Sequence, residues 1–196
     1  MKLSILLLSL LAASAVAQAD TLQLGVPAYG GTGCPAGSAS VSLSPDSTQI
    51  SMLFDQYVVQ AGGATAFDRK NCNIAVPVHV PNGFSVAVMA IDYRGFTGLP
   101  AGGRANLTVD YFLASGGGTL HTAKTFLGPT ATDYLKHDDI GVASLVWSAC
   151  GADTILRANT SMLVTSNSSR QEAMATVDSA DIAAGLIYHI AFRRCP

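Results

Sequence analysis

A period of two runs through most of this chain and restricts its fold more than any other feature. Residues 38–44 read Ser-Ala-Ser-Val-Ser-Leu-Ser, so Ala39, Val41 and Leu43 share one side and four serines the other. Successive side chains of an extended strand point to opposite faces, so a half-buried strand carries this pattern. The same alternation places Ile50, Met52 and Phe54 on one face of 49–60, a run ended by Ala61-Gly62-Gly63. Over 73–80, Ile74, Val76, Val78 and Val80 alternate with Ala75, Pro77 and His79. Proline has no N–H to give a ladder, so Pro77 predicts an edge strand or a bulge. Pro81-Asn82-Gly83 predicts a tight turn into 84–93. There Phe84, Val86 and Val88 lie on one side and Ala87, Met89, Ile91 and Tyr93 on the other, which predicts a central strand apolar on both faces. Leu107, Val109, Tyr111 and Leu113 face inward on 105–113, leaving Asn106, Thr108 and Asp110 outside. Further strands are expected at 119–126, 142–148, 154–164, 171–177 and 186–193, and the best short helix at 131–138. About ten short strands between Gly, Pro and Asn turns predict an all-β chain. The expected form is a single β-sandwich or jelly-roll-like domain over 20–196, stapled by two disulfides.

The first residues stand outside that pattern. Lys2 is followed by an apolar run from Leu3 to Leu11 and then by small residues through Ala17. This is the three-part form of a secretory leader. Ala15-Val16-Ala17 and Ala17-Gln18-Ala19 both fit the small-x-small rule, so residues 1–19 are expected to be removed near Ala17 or Ala19. The apolar run is shorter than the ~20 residues a helix needs to cross a bilayer, and no membrane association is expected after cleavage. The chain is 49% hydrophobic and 12% charged with a formal net charge of -2, which opposes both disorder and a nucleic-acid partner.

Four cysteines, Cys34, Cys72, Cys150 and Cys195, suit an oxidising compartment. They allow three pairings. Cys34–Cys72 and Cys150–Cys195 are favoured because each staples one half of the chain. Closing loops of that size stabilises by roughly 4 kcal/mol each in the chain-entropy view. No pair has the C-x-x-C spacing of a zinc site. Three sequons, at Asn106, Asn159 and Asn167, predict surface positions open to glycosylation.

No catalytic motif is assembled along the chain, so no catalytic residue is assigned and no cofactor is expected. A glycosidase needs two carboxyl groups roughly 5–9 Å apart. Glu172 is the single glutamate, so a pair must use aspartates. Asp92 and Asp110 sit on neighbouring predicted strands; either they meet as an acid–base pair, or they are outward positions with Arg94 as an ion-pair partner. His79 and His189 read as half-exposed strand histidines. Asp133, His137, Asp138 and Asp139 form the densest polar cluster. On a helix, Asp133 and His137 would share a face and could hold a metal ion, or simply mark a solvated helix end. Asp178-Ser179-Ala180-Asp181 reads as a turn or N-cap. Trp147 is expected in the core near Cys150. Arg69-Lys70 reads as a processing site or an exposed loop.

Several strings together resemble the DUF4360 family of small secreted proteins, mostly fungal. They are GTGCPAGSASVSLSPD over 31–46, FDQYVVQAGG over 54–63 and RKNCNIAVPVHVPNGFSVAVMAIDYRGF over 69–96, the strongest match. FLGP (126–129), WSACG (147–151), VDSADI (177–182) and FRRC (192–195) follow in order, with a poorer match through 153–176. The resemblance implies a secreted, disulfide-bonded, β-rich protein with no established activity. The expected function is a non-enzymatic interaction protein acting outside the cell on a host or competitor protein, effector-like, with protease inhibition as one version. The Gly-rich loops near 98–103 and 115–119 are the expected contacts. The alternatives are a protein that binds or hydrolyses cell-wall polysaccharide, or a structural wall component.

Overall fold

A computed structural model describes residues 21–114, 118–178 and 185–196. The expected leader, part of the loop near 115–119 and Ser179-Ala180-Asp181 lie outside the described residues. The described chain forms β1 (Gln23–Leu24), β2 (Ala28–Gly30), β3 (Ala39–Leu43), β4 (Gln49–Phe54) and β5 (Val58–Ala61). The long strands β6 (Phe67–His79), β7 (Phe84–Leu99) and β8 (Arg104–Leu113) come next, then β9 (Leu120–Leu127) and β10 (Thr130–Asp139). A short 3-10 turn, Val142–Ser144, precedes β11 (Thr154–Thr165), β12 (Ala173–Thr176) and β13 (Leu186–Arg194). All these strands pair antiparallel in two sheets. The first runs β1-β6-β11-β8-β9, with β2 also on β6; the second runs β3-β4-β13-β7-β12-β5, with β10 on the opposite edge of β7.

The sheets pack face to face as a β-sandwich. Val76, Val109, Met162 and Val164 of the first sheet and Ile50, Ile91, Leu186 and Tyr188 of the second are fully buried in one core. Burying side chains of this size contributes roughly 1.5–3 kcal/mol each. Polar clasps cross the layers as well. The Tyr57 hydroxyl bonds Thr160 Oγ1 at 3.1 Å, and that of Tyr93 bonds Thr122 Oγ1 at 2.6 Å. Burial pushes the Tyr57 phenol up to about 12, so it stays a neutral hydrogen-bonding group.

β7 is central, as its sequence predicts, but it is not apolar on both faces. The β7–β13 register shifts between His189 and Ile190: His189 opposes Ala90 and Ile190 opposes Val88, leaving Met89 as an extra residue. This bulge reverses the parity of the strand. Val86 and Val88 before it, and Ile91 and Tyr93 after it, all enter the same core. Met89 is exposed, and Asp92 turns outward. Pro77 is accommodated another way. Opposite it the edge strand is broken between Leu24 and Ala28, and Gly25 N–H donates to the Pro77 carbonyl at 2.9 Å.

Other expectations are corrected. The 131–138 segment is strand β10, paired along its whole length with β7 from Leu99 to Ala90. A ladder of that length outweighs the local pattern that suggested a helix. The 142–148 run holds only a 3-10 turn and a loop, because its backbone meets the start of β7 only at single points such as Ser148 N–H on Val86 O, too few to form a ladder. The 49–60 run is two strands, turned at Asp55–Tyr57. Arg69 and Lys70 lie within β6, opposite Leu163 and Met162, rather than in a loop. Trp147 is half-buried, its ring covered by the Arg193 guanidinium at 4.3 Å, and does not join the core.

The disulfides join Cys34 to Cys72 and Cys150 to Cys195. The first ties the loop before β3 to β6 with both cysteines buried. The second ties the loop after the 3-10 turn to the chain end, where Cys195 N–H also bonds Gly83 O at 2.9 Å.

Candidate functional site

The outward face of the second sheet carries a cluster drawn from three adjacent strands. The register sets His137 of β10 beside Asp92 of β7, and His189 of β13 lies diagonally across from it. His137 Nδ1 donates to Asp92 Oδ1 at 2.5 Å, and His189 Nε2 donates to Asp92 Oδ2 at 2.9 Å. Both assignments follow from chemistry, since an ionised carboxylate only accepts. His137 Nε2 faces Asp139 Oδ1 at 3.0 Å. The two imidazole rings meet edge to face, 6.0 Å apart. Asp92 is the shielded member, its side chain 17% exposed against 26% for His189 and 49% for His137.

Electrostatics follow from these contacts. Burial alone would raise the Asp92 pKa, but the hydrogen bonds from His137 and His189, with their charge, outweigh it and hold the carboxyl below its usual value. The hydrogen bond to Asp92, then the one to Asp139, pushes His137 above the usual imidazole value.

Asp92 and Asp110 do not meet. Asp110 projects from the outer face of the first sheet, where His121 Nδ1 lies 2.6 Å from its Oδ1. The two carboxyls stand on opposite outer faces of the sandwich and cannot flank one glycosidic bond. Arg94 does not replace the histidines as partner of Asp92; its Nε is buried without a hydrogen bond among the described residues. His79 pairs with Asp153 at 2.7 Å.

The Asp133, His137, Asp138 and Asp139 cluster is split by strand geometry. Asp138 turns toward the first sheet and binds Lys124 Nζ, whereas His137 and Asp139 turn outward. Asp133 shares their face but sits four residues from His137, about 13 Å along the strand. It borders instead a groove of 650 Å³ shared with Phe96 and Met174. Asp178 accepts a hydrogen bond from Phe54 N–H at 3.0 Å. Sequence reasoning therefore named His137, Asp139, Asp92 and His189 without joining them. The one signal that could have joined them is strand parity, and the bulge at Met89 reverses it.

A larger groove, of 790 Å³, opens where β5, β12 and the end of β7 approach the start of β10. Gln60, Thr65, Pro100, Ala131, Gln171 and Glu172 line it, and Glu172 is its one titratable side chain. The Gly98–Pro100 part of the expected contact loop belongs to this wall. Gly62 lies against the backbone of Glu172, where a Cβ would come within 2.9 Å of its Cα.

Of the sequons, Asn106 and Asn159 lie on the outer face of the first sheet, on β8 and β11. Asn167 is held in a turn: its Nδ2 donates to Ala101 O at 2.9 Å and to Gln171 Oε1 at 2.6 Å.

Comparison with known proteins adds the lineage. An uncharacterized secreted protein of Arthroderma benhamiae is 36% identical over 169 residues, 85% of this chain and 69% of that protein. The solved structure of TmCBM61 with β-1,4-galactotriose covers 86% of this chain and 88% of its own at 11% identity, with a TM-score of 0.30, too distant to bear on ligand or activity. The secreted relative and the disulfide-bonded β domain identify this chain as a secreted protein. The model of the domain of unknown function DUF4360 matches residues 20–195, and the chain belongs to that family.

Proposed function

We propose that this protein is a non-enzymatic extracellular interaction module, exported by its leader, whose groove between β5, β12 and β10 receives an extended segment of another extracellular protein. The lining of that groove is the observation that supports the reading. Gln60, Thr65 and Gln171 supply amides and a hydroxyl that can donate to and accept from a peptide backbone. A single carboxyl, Glu172, cannot divide acid and base roles between two groups. None of the lining side chains is aromatic, so the groove offers no stacking platform for a sugar ring. Polysaccharide therefore ranks behind protein as its occupant.

Ala131 is exposed on β10 and lines the groove, so Ala131→Trp fills it without touching the core. The oxidised, glycosylated mature protein serves as bait against an extracellular extract and insoluble wall material. The expected result is one saturable protein partner that Ala131→Trp loses while its circular dichroism is unchanged. Equal capture by Ala131→Trp, or retention by wall material alone, overturns the reading.

A further inference from the structure

We propose that Asp92, His137 and His189 form a binding site for a first-row divalent transition cation such as Zn²⁺. The site stands apart from the groove and does not depend on the groove's occupant. Among the described residues these three are the one group of His, Cys, Asp or Glu side chains whose donor atoms converge, all within 4.8 Å of one another. Zinc takes nitrogen and carboxylate oxygen ligands at about 2.0–2.2 Å, which sets tetrahedral ligands about 3.3–3.6 Å apart. The present contacts of 2.5 and 2.9 Å bracket that geometry from below and the 4.8 Å limit from above. Small side-chain rotations therefore close the site, and the half-exposed His137 leaves a path for an ion to enter.

The backbone supplies preorganisation. His137, Asp92 and His189 stand on β10, β7 and β13, three strands held in one ladder, so their Cα positions are set before an ion arrives. The bulge at Met89 turns Asp92 outward to meet the histidines. Bulges commonly re-aim side chains in this way beside functional sites.

Asp139 provides an independent sign. Its carboxylate faces His137 Nε2 at 3.0 Å, on the far side of the ring from Asp92. A histidine that binds a metal through one nitrogen usually donates the other N–H to a carboxylate, which orients the ring. Here Asp139 holds Nε2–H and presents Nδ1 to the centre of the cluster. On binding, the cation replaces the protons that bridge the imidazoles to Asp92, and those protons leave to solvent. Two imidazoles with one carboxylate suit zinc, copper or nickel and not calcium, which takes six to eight oxygen ligands. The other pairs on the surface, His121 with Asp110 and His79 with Asp153, offer one histidine each.

The test is calorimetric titration of chelator-stripped, disulfide-intact protein with ZnCl₂, alongside thermal melts with and without the ion. One ion should bind per chain and raise the melting temperature, as any ligand selective for the folded state does. His137→Gln and His189→Gln should each weaken binding tenfold or more, and Asp139→Asn should weaken it by roughly 10-fold. His121→Gln should bind as the wild type does. Circular dichroism of each apo variant checks that the sheet is intact. The proposal fails if wild type gives neither a heat of binding nor a melting shift with Zn²⁺, or if folded His137→Gln and His189→Gln keep wild-type affinity.

Discussion

The two sheets are built from the same alternation and used differently. In the first, β6, β11 and β8 pair over long registers without a shift, and its two His–Asp pairs, His121–Asp110 and His79–Asp153, stand apart with one histidine each. In the second, β7 is bulged at Met89 and its edge is shared between β13 and β12. The His–Asp–His cluster and both grooves lie on this sheet. The contrast teaches that regular pairing makes a frame, whereas an irregularity changes which residues share a face. Asp110 and Asp92 show this at the level of one side chain. The Asp110–His121 pair is largely solvated, with side chains 43% and 61% exposed, but Asp92 is shielded and held from two strands.

The sharpest way to break the comparison is to delete one residue from a strand of each sheet. Deleting Thr108 from the regular strand β8 carries Asp110 to the parity of Leu107, into the core. Burying a carboxylate away from its partners costs about 3–5 kcal/mol, so denaturant unfolding should show a loss of that size or no soluble product. Deleting Met89 takes out only the extra residue of the bulge and leaves Val88, Ile91 and Tyr93 on the core face with Asp92 outward, so it should cost less. Equal losses for the two deletions would show that Met89 is not the extra residue of β7. A smaller effect separates the two aspartates. Asp92→Asn should lower stability by about 1–2 kcal/mol through lost charge-assisted hydrogen bonds, and Asp110→Asn should stay within about 0.5 kcal/mol of wild type. Equal losses in chemical denaturation would mean that the outer faces of the two sheets are energetically alike.

The smallest effect concerns the core between the sheets. The Tyr188 hydroxyl is fully buried and has no hydrogen-bond partner among the described residues, although its ring packs edge to face on Tyr111 at 6.1 Å. Tyr188→Phe should therefore be neutral or stabilising by up to about 1 kcal/mol. Tyr57→Phe, which loses the bond to Thr160, should cost about 1 kcal/mol. A melt in which Tyr188→Phe is the worse of the two would overturn this distinction.

Strands with one apolar face were legible. Ala39–Leu43, Arg104–Leu113, Thr154–Thr165 and Leu186–Arg194 all alternate cleanly and all form close to their expected bounds. β10 was not legible. Its outward residues are Asp133, Leu135, His137 and Asp139, and its inward ones include Lys136 and Asp138 beside Tyr134, so neither face is an apolar stripe. Only its long pairing with β7 makes it a strand. The site was legible as residue types but not as a set, because Asp92, His137 and His189 are 45 and 52 residues apart in sequence.

What the sequence by itself determined is therefore the local part: alternation that commits most segments to strands, an apolar N-terminal run, and cysteines suited to secretion. These are properties of neighbouring residues, and short-range sterics and hydrophobicity suffice to impose them. The tertiary structure alone decided which strands share an edge, where β7 takes an extra residue, and hence that two histidines and one aspartate face one another. Register is a non-local property. It is set when the core is packed to density, and one bulged residue is enough to reverse the face of every side chain that follows.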